Sequence, residues 1–314
     1  MILLTGATGF VGRHLCRALA RAGHQVTSLV RSIPQADDEL ARHSTLVTGE
    51  LRDPFSLAAA LAKVDLVIHA AGVVSSRPDL LTDVNVIGTR HLVDACRRLG
   101  VRRFIFFSSA AVLMPPSPYG QSKRSAETIV EQGGLDATIL RPAQIYGEGD
   151  RKGMGKLIRL IQRSPVVPLP GNGAATLQPV SVHDVTGVLL AMLRDPRSHG
   201  KSYTLAGPTP VSYRELIDLI QRLLGTRRIV CPIPVAWLAA CARWQERLFR
   251  DPAFSMDQLD RLLCSTRLHS DEATLDFGFE PRSLETGLRA LLSVEGVGAA
   301  PTSVFKPGTS TEAS

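Results

Sequence analysis

The chain of 314 residues predicts an α/β fold: a doubly wound parallel sheet with a smaller C-terminal α/β substrate lobe. Three observations carry this expectation. Short apolar runs alternate with amphipathic stretches over residues 1–145, the pattern of parallel strands joined by right-handed helical crossovers. Those runs are nearly continuous in Val, Ile, Leu and Phe, as they must be when both faces of a sheet are covered. Beyond Tyr146 the texture changes: Pro and Gly cluster in 164–173, and strand-like and helical segments stop alternating strictly.

In order along the chain, strands are expected at Ile2–Thr5, 25–30, Thr45–Thr48, Leu66–His69, 104–108 and 138–140, with helices at 11–21, 54–61, 84–99 and 119–132. The first, regularly alternating half is thus 1–145. The substrate lobe, 146–294, is expected to contain a helix at 156–162, a strand at 179–182, a helix at 185–193, a strand at Ser202–Leu205 and a helix at 213–224. Some of its segments return to the main sheet. Residues 295–314 are small, polar and Pro-bearing and read as a disordered tail.

Composition narrows the function classes. Hydrophobic residues at 44% and charged residues at 21% allow a proper buried core and exclude a disordered chain. A net charge of +7 fits phosphorylated ligands or an anionic surface. Aromatic residues at 5%, with no dense Lys/Arg run interleaved with them, argue against nucleic acid. The cysteines Cys16, Cys96, Cys231, Cys241 and Cys264 are widely spaced and odd in number, which fits a reducing cytoplasm rather than a disulfide framework. A first strand starting at Ile2 leaves no room for a signal peptide, and no apolar run approaches a membrane span. The expectation is a cytoplasmic monomer or homodimer acting on a small molecule, with peripheral membrane contact as its one possible membrane role. The eight histidines lack paired ligand spacing, so no metal is expected.

The segment from Thr5 to Gly12, with Gly6, Gly9 and Gly12, lies between the first strand and the first helix. Glycines there permit a tight turn and let bare N–H groups of the helix start meet a pyrophosphate, with Thr8, Phe10 and Val11 flanking it. This is the Rossmann arrangement. The second strand ends in Val30-Arg31-Ser32, where an NAD enzyme places an acid on the ribose; Arg31 suits a 2′-phosphate instead, helped by Arg13. NADP(H) is therefore the expected cofactor, with NAD(H) as the alternative. Tyr119 and Lys123 lie four apart, on one face of a helix, where a neighbouring cation lowers a phenol's pKa and makes Tyr119 a proton donor or acceptor. Ser108 and Ser109 end a strand at the ligand crevice, and Ser109 is placed to hydrogen-bond a substrate oxygen.

With these motifs assembled, residues 1–292 resemble the extended short-chain dehydrogenases, the NAD-dependent epimerase/dehydratase family. Further echoes are His69-Ala70-Ala71-Gly72, Asn85 in Val84-Asn85-Val86, and Arg141-Pro142 ahead of Tyr146-Gly147. The resemblance implies that Ala70, Ala71 and Gly72 pass under the cofactor, that Asn85 braces the active-site helix, and that Glu50-Leu51 sits beside the adenine. Ser108 and Pro142 complete the implied cofactor contacts. It also implies that Tyr119 exchanges the proton, Lys123 holds the nicotinamide ribose, and Ser109 orients the reacting oxygen. The C-terminal half is similar to the branch containing the nucleotide-binding accessory subunit of respiratory complex I, through Pro208-Thr209-Pro210, Met256-Asp257-Gln258-Leu259 and Phe277-Gly278-Phe279.

Departures from the family pattern bear on substrate. Leu177 stands where nucleotide-sugar members carry a diphosphate-clamping Arg, Gln144 replaces an Asn, and Leu113-Met114 replaces a Tyr-Gly pair. The expected reaction is hydride transfer between NADPH and a carbonyl or secondary alcohol, in a pocket lined by Leu113, Met114 and Leu177 that suits an apolar or amphipathic substrate. The rivals are a nucleotide-sugar epimerase or dehydratase and a non-catalytic, NADPH-bound assembly or stability factor. Asp184 reads as a helix N-cap. The basic set Arg151, Lys152, Lys156, Arg159 and Arg163 reads first as a solvated helix face and second as a phosphate contact. The segment 235–249, with both tryptophans, reads first as a packed lobe helix and second as a rim touching membrane or a lipid-like substrate.

Overall fold

The computed structural model describes residues 1–33, 38–249, 254–265 and 267–294; the expected tail at 295–314 lies outside the described residues. Strands β1 (Ile2–Thr5), β2 (Val26–Val30), β3 (Thr45–Thr48), β4 (Leu66–His69), β5 (Arg103–Phe107) and β6 (Asp136–Pro142) alternate with helices α1 (Phe10–Arg21), α2 (Asp38–His43), α3 (Pro54–Ala60), α4 (Pro78–Leu81), α5 (Gly88–Leu99) and α6 (Pro118–Glu131). There follow β7 (Ile145–Tyr146), α7 (Met154–Arg163), β8 (Val166–Pro170), β9 (Thr176–Leu177), β10 (Val180–Ser181), α8 (Val182–Leu193), β11 (Ser202–Leu205), β12 (Val211–Ser212), α9 (Tyr213–Leu223) and β13 (Ile229–Ile233). Helices α10 (Val235–Leu248), α11 (Met256–Leu263), α12 (Asp271–Phe277) and α13 (Leu284–Val294) complete the described elements.

Seven strands form one sheet in the order β11-β6-β5-β4-β1-β2-β3, every pair parallel. The chain winds away from β1 in both directions, so the carboxyl ends of β1 and β4 part to form the crevice where such sheets bind ligands. Both faces are covered. Ile2 and Leu4 of β1 pack with Leu15 and Leu19 of α1 and Leu189 of α8, whereas Leu3 packs with Leu57 of α3 and Leu92 of α5. This two-sided burial is why the strands read as continuous apolar runs.

Local chemistry sets the helix starts near the crevice. Asp53 accepts the Phe55 N–H at 3.0 Å with Pro54 in the first turn of α3, and Ser117 accepts the Gly120 N–H at 3.1 Å with Pro118 in the first turn of α6. The helix expected at 84–99 instead begins at Gly88, behind a π-helical turn over Thr82–Ile87. That wider turn carries Asn85, in keeping with the habit of π-bulges to mark functional positions.

The lobe has its own core, in which Met154, Ile158 and Ile161 of α7 meet Leu216, Ile217 and Ile220 of α9 and Leu288 of α13. Three small strand pairs, β7 with β10, β8 with β13 and β9 with β12, frame it. Strand β11 leaves the lobe and pairs with β6 at the edge of the main sheet. Two expectations need correction. Asp184 does not cap α8, because Ser181 does, accepting the His183 N–H at 3.3 Å; Asp184 instead pairs with Arg282 at 2.8 Å. The segment 235–249 is helical over Val235–Leu248 but mostly exposed, since only Ala242 of α10 is buried.

Candidate active site

The turn between β1 and α1 is shaped by what its glycines lack. Gly6 stands at φ +77°, and a Cβ there would lie 2.6 Å from the Ala70 carbonyl carbon and from the Ala71 amide nitrogen. A Cβ on Gly12 would lie 2.1 Å from the Gly6 carbonyl oxygen, which also accepts the Gly9 N–H at 3.0 Å. Helix α1 therefore starts hard against the turn. Gly9 is its N-cap, with no side chain capping it, so N–H groups of the first turn are left for an anion at the positive end of the helix dipole. This cradle fits a dinucleotide pyrophosphate, which Gly6, Thr8, Gly9, Phe10, Val11 and Gly12 would hold.

Thr5 pairs with Leu29, so Arg31, exposed just past β2, stands at the same end of the sheet as the glycine turn. Arg13 donates from Nε to the Thr8 carbonyl at 3.2 Å. Glu50 pairs with Arg52 at 2.5 Å, and Leu51 is buried where a Cβ on Gly88 would come within 2.9 Å of its own Cβ. On the other side of β1, the Ala71 N–H donates to the Thr5 hydroxyl at 3.3 Å. Buried Asn85 accepts the Val73 N–H at 2.8 Å and donates Nδ2 to the Val73 carbonyl and the Ser122 hydroxyl, both at 3.0 Å. It ties the loop after Gly72 to α6.

Helix α6 brings the titrating groups together. Lys123 is buried; its Nζ donates to the Phe107 carbonyl at 2.7 Å and sits 4.4 Å from the Phe106 ring centroid. Burial pushes its pKa down to about 7, opposed by the Glu127 carboxylate. Glu127, one turn further along, is fully buried and accepts from Arg141 at 2.8 and 3.0 Å and from Arg124 at 2.9 Å. Arg261 lies 5.8 Å from the Tyr119 ring centroid. Burial raises the phenol's pKa, and the neighbouring Ser109 side chain and the Arg261 charge offset part of that rise. Lys123 does not enter this balance. Ser109 also caps the short turn Ala110–Leu113, accepting the Ala111 N–H at 3.2 Å. Beneath them His69 is sealed between the Thr5 and Thr89 hydroxyls at 2.7 and 3.0 Å, and burial holds its pKa down at about 3, so it is neutral structure.

These groups open on a cleft of about 1630 Å³ between the sheet and the lobe. Phe10, Val11, Ala70, Gly72, Ser108, Ser109, Tyr119, Lys123, Pro142, Gln144, Arg151 and Leu177 line it. Gly6, Thr8, Gly9, Gly12, Arg31, Glu50, Leu51, Ala71 and Asn85 lie outside its walls. Leu113 is a correction: it is 45% exposed and off the cleft, while its neighbour Met114 lines it. A second correction concerns Arg151, Lys152, Lys156, Arg159 and Arg163, which all line the cleft rather than a purely solvated face. Asp150 aims them, its carboxylate accepting the N–H groups of Lys152, Gly153 and Gly155 at 3.0, 2.9 and 3.1 Å at the start of α7. The buried Ser108 hydroxyl has no hydrogen-bond partner among the described residues and is available to a ligand. Sequence reasoning missed Glu127 and Arg261; the four-residue step from Lys123 to Glu127 was a readable signal, whereas nothing near Arg261 announces Tyr119.

The family model described as "NAD dependent epimerase/dehydratase family" matches residues 2–206. Among relatives, "Ceramide reductase" of Caulobacter vibrioides is 37% identical over 198 residues, which is 62% of this chain and 62% of that protein. The chain thus aligns with under two thirds of that relative's length. A "3 beta-hydroxysteroid dehydrogenase/Delta 5-->4-isomerase" of Mycobacterium tuberculosis is 30% identical across 89% of this chain and 86% of its own length. The "NADH dehydrogenase [ubiquinone] 1 alpha subcomplex subunit 9, mitochondrial" of Arabidopsis thaliana is 32% identical across 85% of this chain and 70% of its own. The solved structure "MoeE5 in complex with UDP-glucose and NAD" superposes with a TM-score of 0.76 at 24% identity, covering 94% of this chain and 98% of that one; it supports the fold.

Proposed function

Because the chain belongs to the NAD-dependent epimerase/dehydratase family, whose members are oxidoreductases and epimerases of the short-chain dehydrogenase/reductase superfamily, we propose that it is an NADPH-dependent reductase interconverting a ketone and a secondary alcohol on an amphipathic, lipid-like substrate. The observation that carries this reading is the set Ser109, Tyr119 and buried Lys123 on one wall of a cleft whose lobe side offers Leu157, Leu177, Leu216, Ile217 and Leu262. A nicotinamide dinucleotide held by the glycine turn supplies the hydride. Ser109 orients the substrate carbonyl, and Tyr119 gives its phenolic proton to the oxygen as the carbon becomes a carbinol. Lys123, fixed by Phe107 and facing the Gly72 loop, is the residue for the nicotinamide ribose. Relatives named for ceramide and for a hydroxysteroid support a lipid-like substrate.

The test is net NADPH oxidation with long-chain 3-oxo compounds. A second reading, nucleotide-sugar epimerisation, is favoured by the five cations of Arg151 to Arg163 on the cleft wall. UDP-sugar interconversion without net NADPH consumption would establish it in place of the first.

Cofactor choice follows from Arg31. A charge-assisted hydrogen bond to the 2′-phosphate is worth roughly 1.5–3 kcal/mol, so NADPH should bind about tenfold to a hundredfold tighter than NADH, and Arg31→Asp should erase or invert that order. Equal dissociation constants in the unaltered protein would refute the assignment.

Lys123 makes both cofactor affinity and stability depend on pH. Its ammonium is lost as pH rises through about 7 in the folded protein. NADPH affinity of the free protein should therefore decline across that range, and a flat titration would mean the proton stays. The unfolded chain keeps this proton up to the ordinary lysine range, so this group's contribution makes stability rise with pH from about 7 to that range; below about 7 both states are protonated and its contribution is constant.

A further inference from the structure

Helix α10 presents to solvent an apolar line that the fold does not use. Trp237 is 74% exposed, Trp244 60%, Leu248 57%, and Phe249, just past the helix, 53%. Positions 237, 241, 244 and 248 recur at intervals of four, three and four, so Trp237, Cys241, Trp244 and Leu248 fall along one face. Exposed Arg243 and Arg247 follow one flank of that line, and neither has a carboxylate partner among the described residues. The other flank of the helix holds buried Ala242 and half-buried Leu238, and Leu238 lines the cleft.

An exposed indole pair beside unpaired guanidinium groups is the composition of a helix that lies in a bilayer interface. Indoles and aliphatic side chains sink to the acyl boundary while arginines stay at the phosphates. We propose that α10 docks the protein flat on an anionic lipid surface, with Trp237, Trp244, Leu248 and Phe249 inserted and Arg243 and Arg247 on lipid phosphates. Charge complementarity selects this occupant: the line carries two unpaired cations, in a chain of net charge +7. The contact is interfacial, because no helix among the described residues is long and apolar enough to cross a membrane. Since Leu238 places the same helix in the cleft wall, docking sets the cleft beside the bilayer and lets a lipid-like substrate enter from it. That last step rests on the lipid-like reading above; the docking itself does not.

Trp237 and Trp244 are the chain's two tryptophans, so intrinsic fluorescence reports on this helix alone. Mixing the full-length protein with phosphatidylcholine vesicles containing phosphatidylglycerol should shift its emission to shorter wavelength, make it quenchable by brominated acyl chains, and carry it upward in flotation. Arg243→Glu/Arg247→Glu should weaken partitioning by at least about tenfold, and Trp237→Ser/Trp244→Ser should abolish flotation. Both double variants should keep the NADPH-linked reduction of a short-chain, water-soluble ketone while losing that of a vesicle-embedded long-chain one. Unchanged fluorescence and no flotation would overturn the proposal, as would equal binding to vesicles lacking phosphatidylglycerol. A lipid-independent shift that grows with protein concentration alongside dimer formation would overturn it too, assigning the line to a second copy. Vesicle binding without ketone reduction would sink the reductase reading and leave the docking intact; reduction without vesicle binding would do the reverse.

Discussion

Replacing Tyr119 by Phe is expected to lower kcat by about 10²–10⁴ while changing NADPH affinity little, because only the proton-bearing oxygen is lost and the ring keeps its packing. Ser109 neighbours that oxygen and lowers its pKa, and Arg261 lies over the ring. Lys123→Ala differs in kind: it removes the group proposed for the ribose and should damage both kcat and the cofactor dissociation constant. Steady-state rates together with NADPH titrations separate the two patterns. A Tyr119→Phe protein with a normal rate would mean that the substrate oxygen takes its proton from another donor.

Glu127→Ala is expected to cost about 3–5 kcal/mol of stability, read as a lower denaturation midpoint. The carboxylate is fully buried and takes two hydrogen bonds from Arg141, whose side chain is only 17% exposed, so its removal strands a desolvated guanidinium. The Gln variant keeps one acceptor and should lose less. Glu127 also holds the Lys123 pKa up, so in Glu127→Gln the alkaline fall in cofactor affinity should begin at lower pH. A variant with unaltered stability and an unaltered pH profile would show that the pair is idle.

The parts of this site that were legible from sequence are the ones set by neighbours in the chain. Gly6, Gly9 and Gly12 are demanded by a turn that closes within a few residues, and Tyr119 and Lys123 are joined by the pitch of one helix. Strands of the main sheet declared themselves through burial on both faces. What sequence did not give depends on partners far along the chain. Asp184 looked like a cap until Arg282 came to meet it, and the cations of α7 looked solvated until the lobe folded them over the cleft. The apolar residues of α10 implied a packed helix because periodicity reports that a face is apolar without saying whether anything covers it. Of the adjacent pair Leu113 and Met114, both expected in the pocket, the short turn Ala110–Leu113 sends Leu113 outward and leaves Met114 in the cleft.

The pairing of β11 with β6 also governs how the chain can be divided. Ser202 lies opposite Ile139, so the sheet's last strand is supplied from the far side of the lobe. Cutting at residue 145 would leave the N-terminal portion with β6 as a bare edge, its N–H and C=O groups open to strands of other molecules, which is a recognised template for aggregation. Such a cut would also remove Val185, Leu189 and Met192 from the face they cover. The nucleotide-binding half is therefore not an independent module, and in synthesis from the N-terminus its sheet edge waits for about sixty further residues before it is closed.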